Sequence, residues 1–263
     1  MGPVKPSAIL PTRPPGPLQA FIDGYPHQRT SPNQSFNLEF YTGSRRCQPD
    51  NLDLSQMRAK LTADMDECEY NHGWVQWLYP IQAQGVNPSA QPLQPHEIAH
   101  LLHQPGMQDS LLKSYAIWLK FLGLRLLDHQ TGLLARSSQR GVFESQTKNF
   151  RQNSHNLLRV SRVMQWLSEF QMEHLSESLL LCLLAERRAY GWTISASGRA
   201  SPFADSVMRY YMWCFKDAKR RQRVRSVLEG ILEGETSSAK EDLWTPEEYK
   251  AHVAPLAHSR HEL

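Results

Sequence analysis

Three features of the 263-residue chain predict an all-α fold, a single multi-helix globular domain with a disordered Pro-rich N-terminal tail. Apolar residues recur at helical spacing in block after block, no segment alternates convincingly with the two-residue period of a strand, and no repeat of about 20 to 50 residues is found. The 40% hydrophobic content supports one true core.

Residues 1–35 hold eight of the 17 prolines and few large apolar side chains, a composition that prefers extended, solvated backbone and predicts the disordered tail. Asn37-Leu38-Glu39-Phe40-Tyr41 is the first apolar cluster and pins that tail to the domain, which spans residues 36–228. Leu54, Met57, Leu61 and Met65 recur at helical intervals, so a helix is predicted over about 53–66 with Asp50 or Asp53 as its cap. Residues 70–90 then concentrate aromatic and turn-forming residues. Trp74, Trp77, Leu78 and Ile81 share a helical face until Pro80 ends it, and Gly85-Val86-Asn87-Pro88 predicts a turn in which glycine supplies positive φ. Such a helix end is either a core corner or an aromatic recognition surface, and the residues alone favour the corner.

Pro95 starts a helix over about 94–103 with Glu97 in its first turn. Leu111, Tyr115, Trp118, Leu119 and Leu122 form the apolar stripe of a central helix predicted over 108–127, and residues 129–147 read as a polar loop. Ser154 is placed to cap a helix whose face carries Leu157, Val160, Met164, Leu167 and Phe170; a further helix over about 172–189 ends towards Gly191. The last strong helix opens at Ser201-Pro202, carries Phe203, Val207, Tyr210, Tyr211 and Cys214, and turns basic. Residues 229–263 read as an acidic linker followed by a short terminal helix, for which Thr245-Pro246-Glu247-Glu248 supplies a capping box.

Composition excludes several function classes. The longest apolar run, Leu179 to Ala185, has seven residues against the roughly 20 of a membrane span, so membrane association is expected to be peripheral at most. A net charge of +3 does not argue for nucleic acid. Cys47, Cys68, Cys182 and Cys214 lie far apart without a CxxC pair, as reduced intracellular thiols do, and Pro3, Pro6 and Pro11 interrupt what would otherwise be a secretory leader.

Three constellations carry chemistry. His96-Glu97-Ile98-Ala99-His100 fits the HExxH pattern of a zinc hydrolase, with two ligands one helical turn apart and a glutamate to activate water. The third ligand is missing, because His103 and Gly106 do not meet the extended pattern, and Pro95 leaves His96 at the very start of its helix; a catalytic metal is therefore not expected. Asn153-Ser154-His155-Asn156 with Arg159 and Arg162 groups polar side chains at a helix start, where an anion could bind or buried amides could bond neighbouring backbone, and the structural reading is favoured. In the run 216–225, Lys216, Lys219, Arg220, Arg221, Arg223 and Arg225 make a nuclear-import-like patch for import machinery or a helical scaffold's partners, or else a solvated helix end. No cofactor is implied.

The ordered motifs carry a resemblance. Asn71-His72, Val75-Gln76-Trp77-Leu78-Tyr79-Pro80 and Gly85-Val86-Asn87 resemble the hallmark NHxxIQWLFPxxxxGxN of the opioid growth factor receptor conserved region. Asn37-Leu38 with Phe40-Tyr41, Leu93 with Glu97-Ile98, and Ser154-His155-Asn156 with Leu158-Arg159-Val160-Ser161-Arg162-Val163 continue it in order, so the resemblance covers about residues 37–225. It implies a non-enzymatic helical domain that binds a peptide of the Met-enkephalin type or a protein, acts in growth regulation, and resides in the nucleus, or perinuclear cytoplasm peripheral to the nuclear membrane. The ligand-binding residues expected on this basis are His72, Trp74, Trp77, Asn87, His155, Asn156 and Arg159, the tryptophans stacking on the ligand and Arg159 meeting a carboxylate.

Overall fold

The fold is all-α with one small hairpin in a computed structural model that describes residues 10–195, 197–236 and 244–253. Helix α1 spans Gly16–Ile22, α2 Phe36–Thr42, α3 Leu54–Ala63, α4 Met65–Tyr70, α5 Trp74–Leu78, α6 Pro95–Leu102 and α7 Met107–Phe121. Strands β1 (Leu124–Asp128) and β2 (Leu133–Arg136) follow, then α8 Val142–Gln152, α9 His155–Glu169, α10 Glu173–Ala185, α11 Pro202–Arg209, a 3-10 turn, α12 Ala218–Thr236 and α13 Pro246–Val253.

Helices α7, α9 and α10 carry the centre of the core, as their apolar stripes predict: Tyr115, Trp118, Val160, Met164, Leu167 and Leu179 are fully buried. Tyr79 packs edge-on against Trp74, Trp118 and Trp166, and its hydroxyl donates to Ser114 O at 2.8 Å, so the polar end of a buried ring is satisfied.

Several expectations are corrected. Residues 10–35 are not a disordered tail: Leu10, Leu18 and Phe21 are buried in the core, because the few large apolar residues of this Pro-rich stretch are spaced to anchor it. Residues 1–9 lie outside the described residues. The 108–127 helix stops at Phe121, where Gly123 takes a φ of +76° and a side chain there would meet Phe143 Cα at 2.8 Å; Leu124 to Asp128 instead pair antiparallel with Leu133 to Arg136. Asp128 holds the turn by accepting from Gln130 N and Thr131 Oγ1 at 2.9 and 2.7 Å. The predicted polar loop 129–147 thus contains β2 and the start of α8. The predicted helix 53–66 breaks at Asp64, which caps α4, while Asp53 caps α3 through a capping box with Gln56.

The acidic linker expected from residue 229 begins as helix instead, since α12 runs to Thr236; its residues 237–243 lie outside the described residues. The terminal helix α13 forms with its capping box, Thr245 N donating to Glu248 at 2.6 Å, and buries Trp244, Tyr249 and Val253.

Candidate functional site

The two most distinctive polar motifs, Asn71-His72 and Ser154-His155-Asn156, meet at the surface where the end of α4 crosses the start of α9. The His72 and His155 rings lie 5.1 Å apart, centroid to centroid. His155 Nε2 is 2.7 Å from Glu69 Oε1, and Glu69 Oε2 accepts from Asn149 Nδ2 at 2.7 Å and Asn156 Nδ2 at 2.9 Å. Burial pushes the His155 pKa below its ordinary value, with the nearby Glu69 carboxylate opposing the shift.

Beneath this pair Arg159 is buried and spent on the backbone. Its guanidinium donates to Cys68 O at 2.7 Å, to Glu69 O at 3.2 Å and to Asn156 Oδ1 at 3.1 Å, which satisfies carbonyls at the end of α4. Trp74 Nε1 reaches the same Cys68 oxygen at 3.3 Å. Desolvation lowers the Arg159 pKa, and Glu69 offsets part of the shift. Asn156, wholly buried, connects Glu69 to Arg159.

The expected aromatic stacking surface is not open in this structure. Trp74 and Trp77 are each 1% exposed, leaving neither ring a face for a ligand. Trp77 packs on Phe40 and donates to Gln48 O at 3.1 Å. Asn87 receives Ser89 N on its side-chain oxygen and gives its amide to Gly73 O at 3.3 Å, so it ties the turn to the start of α5. The turn glycine works by closeness rather than by positive φ: a Cβ on Gly85 would lie 2.0 Å from Gln76 Oε1, the atom that accepts from Asn87 N. Nor does Ser154 bond the first turn of α9 with its side chain.

Beside the exposed His72, apolar side chains that were not among the expected ligand contacts also face solvent. Tyr70 is 77% exposed and Leu158 72%, flanking the two histidines on α4 and α9, and Val86 in the adjoining turn is 90% exposed. The signal available for Leu158 was its position off the buried stripe of α9, a large aliphatic residue where that helix should be polar. Asp66 is exposed on α4 one helical turn before Tyr70, so a carboxylate lies on the same helix face as that ring.

The HExxH glutamate is fully committed. Glu97 is buried and accepts from Asn37 N and Leu38 N on one oxygen and from Asn37 Nδ2 and Gln94 N on the other, joining the start of α2 to the start of α6. That leaves it poorly placed to activate water; His96 lies 3.0 Å from Ser35 Oγ, and His100 is exposed.

The basic run begins α12 rather than ending a helix, and most of it is paired within the fold. Lys216 meets Glu169 at 2.6 Å, Arg220 and Arg223 share Glu177, Arg225 meets Glu229 at 3.0 Å, and Arg221 donates to Phe215 O at 2.6 Å. Buried carboxylates on α9 and α10 thereby offset cations crowded at the positive end of a helix dipole. Lys219 is exposed.

Among the described residues no helix is long and apolar enough to cross a membrane. No solved structure matches the chain. The family described as the opioid growth factor receptor (OGFr) conserved region matches residues 30–248. The chain is 32% identical to the opioid growth factor receptor of Homo sapiens over 150 residues, 57% of this chain and 22% of that protein. It is 26% identical to opioid growth factor receptor-like protein 1 of Mus musculus over 192 residues, 73% of this chain and 39% of that one, and 26% identical to the Xenopus tropicalis counterpart over 195 residues, 74% and 36%. The matches thus span less than half the length of these relatives. With a family match covering most of its length and the motif residues assembled in one helical core, this chain belongs to the opioid growth factor receptor family.

Proposed function

We propose that the surface formed by α4, the turn at residues 84–88 and α9 binds a peptide or protein segment, without catalysis, as a receptor-type module in growth regulation. The observation that carries this reading is the exposure of Tyr70 and Leu158, at 77% and 72%, beside a hydrogen-bonded polar network. Of the residues expected to bind ligand, His72 and His155 take part directly at the rim. Asn156, Arg159, Trp74, Trp77 and Asn87 act from beneath by holding α4, α5 and α9 in register. The exposed carboxylate of Asp66, one helical turn before Tyr70, favours a ligand with a free amine and apolar side chains, which an opioid-type pentapeptide has.

Titration calorimetry of Met-enkephalin and a scrambled peptide tests the reading on the wild-type chain and on a Tyr70→Ser/Leu158→Ser variant. Burial of a leucine-sized side chain is worth about 1.5–3 kcal/mol, so the variant is expected to bind at least about tenfold more weakly. Equal heats for both peptides, or unchanged affinity in the variant, would remove it. We further propose an intracellular, nuclear or perinuclear location; imaging of the tagged chain tests it, and exclusion from the nucleus and its envelope counts against it. Because Lys216, Arg220 and Arg223 are engaged in the fold, import through the basic run would rest on its exposed members, and Lys219→Glu is the substitution that tests it with least structural cost.

A further inference from the structure

A second surface, built by other elements, lies between residues 10–15 and α11. It is a groove of about 760 Å³ whose lining includes Arg13, Arg199, Asp205, Arg209 and Tyr210. Leu10 and Met208, both nearly fully buried, form its floor, and Tyr210, 42% exposed, supplies apolar contact area. Three guanidiniums face one carboxylate. Asp205 is paired with Arg209 at 2.6 Å, whereas Arg13 and Arg199 have no carboxylate partner among the described residues. The proline wall is fixed: Arg225 donates to Pro11 O at 2.9 Å and is itself held by Glu229 at 3.0 Å, while the buried Leu18 and Phe21 anchor α1 behind it. Pro14 and Pro15 further restrict the backbone, so the groove needs little ordering to accept a ligand.

We propose that this groove docks an acidic segment of a partner protein, whose Asp or Glu side chains meet Arg13 and Arg199 and whose neighbouring apolar side chain packs on Tyr210. Charge complementarity selects this occupant. Unpaired guanidiniums bind carboxylates as two-pronged donors, and the volume suits a ligand of several residues. A nucleic acid is disfavoured, because the net charge of the chain is only +3 and the carboxylate of Asp205 lies among the cations.

Fluorescence anisotropy on the full chain tests the proposal. The probe is a labelled heptapeptide of alternating Glu and Asp with one central Phe; the competitors are its Gln/Asn counterpart and an oligothymidylate of equal charge. The acidic peptide is expected to bind, the neutral one at least about tenfold more weakly, and Arg13→Gln/Arg199→Gln to weaken binding by about tenfold. Asp205→Asn is expected to tighten it severalfold by releasing Arg209, a gain that misfolding could not produce. The Tyr70→Ser/Leu158→Ser variant should bind this probe as the wild type does, which separates the two surfaces. Absence of binding, equal binding of the neutral peptide, wild-type affinity in the arginine variant, or stronger competition by the oligothymidylate would each overturn the proposal.

Discussion

Replacing Glu97 by Gln perturbs the most heavily used acceptor in the amino-terminal half of the fold. One carboxylate oxygen accepts Asn37 N and Leu38 N at 2.8 and 3.1 Å; the other accepts Asn37 Nδ2 and Gln94 N, both at 2.8 Å. Gln keeps the shape but offers one oxygen and one NH2, so two of the four donors face another donor. At about 1–3 kcal/mol for each buried group left without a partner, and with some relief from rotation of the Asn37 amide, the loss should be about 3 kcal/mol. In a domain of this size that lowers the melting temperature by about 6–12 °C. Urea unfolding followed by circular dichroism measures it. His96→Gln at a half-buried position and His100→Gln at an exposed one should each cost less than about 1 kcal/mol. If Glu97→Gln costs as little as the histidine variants, Glu97 is not the structural tie between α2 and α6.

Three further outcomes follow from the same geometry. Gly85→Ala should destabilise the chain by about 1–3 kcal/mol in urea unfolding, because the new methyl displaces the Gln76 amide from Asn87 N. The four cysteines are buried and burial raises every one of their thiol pKa values, Cys68 to about 12, so the native chain should react negligibly with a thiol reagent at neutral pH and fully once unfolded. The His155 pKa lies below its unfolded value, so the stability it confers is complete above about pH 6.5 and is lost as pH falls through the folded value, with Glu69 opposing and Arg159 and His72 reinforcing the shift. His155→Gln should therefore flatten the fall in stability between about pH 7 and 5; an unchanged slope would assign that fall to other groups.

The helices that were legible are those whose stripe and cap agree. Ser201-Pro202 and Thr245-Pro246 start α11 and α13 as their residue chemistry requires, and every residue named on the α9 stripe is buried. The hairpin was missed because Leu124, Leu126 and Leu127 continue the apolar density of α7, and helical spacing cannot by itself distinguish continuation from a strand. Gly123 and the Asp128-to-Gly132 turn were the local signals that could have done so. The amino-terminal segment misled for a different reason. Mean composition measures whether a stretch can build its own core, whereas Leu10, Leu18 and Phe21 only need to reach one that exists.

The site was legible as a set of residues and not as a surface. Spacing can show that tryptophans and amides are unusual, but burial depends on partners far along the chain. Arg159 is about 90 residues from the carbonyls of Cys68 and Glu69 that it caps, and Trp77 reaches back to Gln48. Once those distant groups are in place, the motif's amides and guanidinium are consumed inside the fold, and its less conspicuous neighbours, Tyr70 and Leu158, are left outside with the two histidines. This division separates the two kinds of variant experimentally. Arg159→Met should lower stability by breaking the cap on α4, whereas Tyr70→Ser should leave stability within about 1 kcal/mol and act on binding alone. If instead Tyr70→Ser unfolded the chain, the exposed side chains would belong to the scaffold and the recognition surface would have to be sought elsewhere.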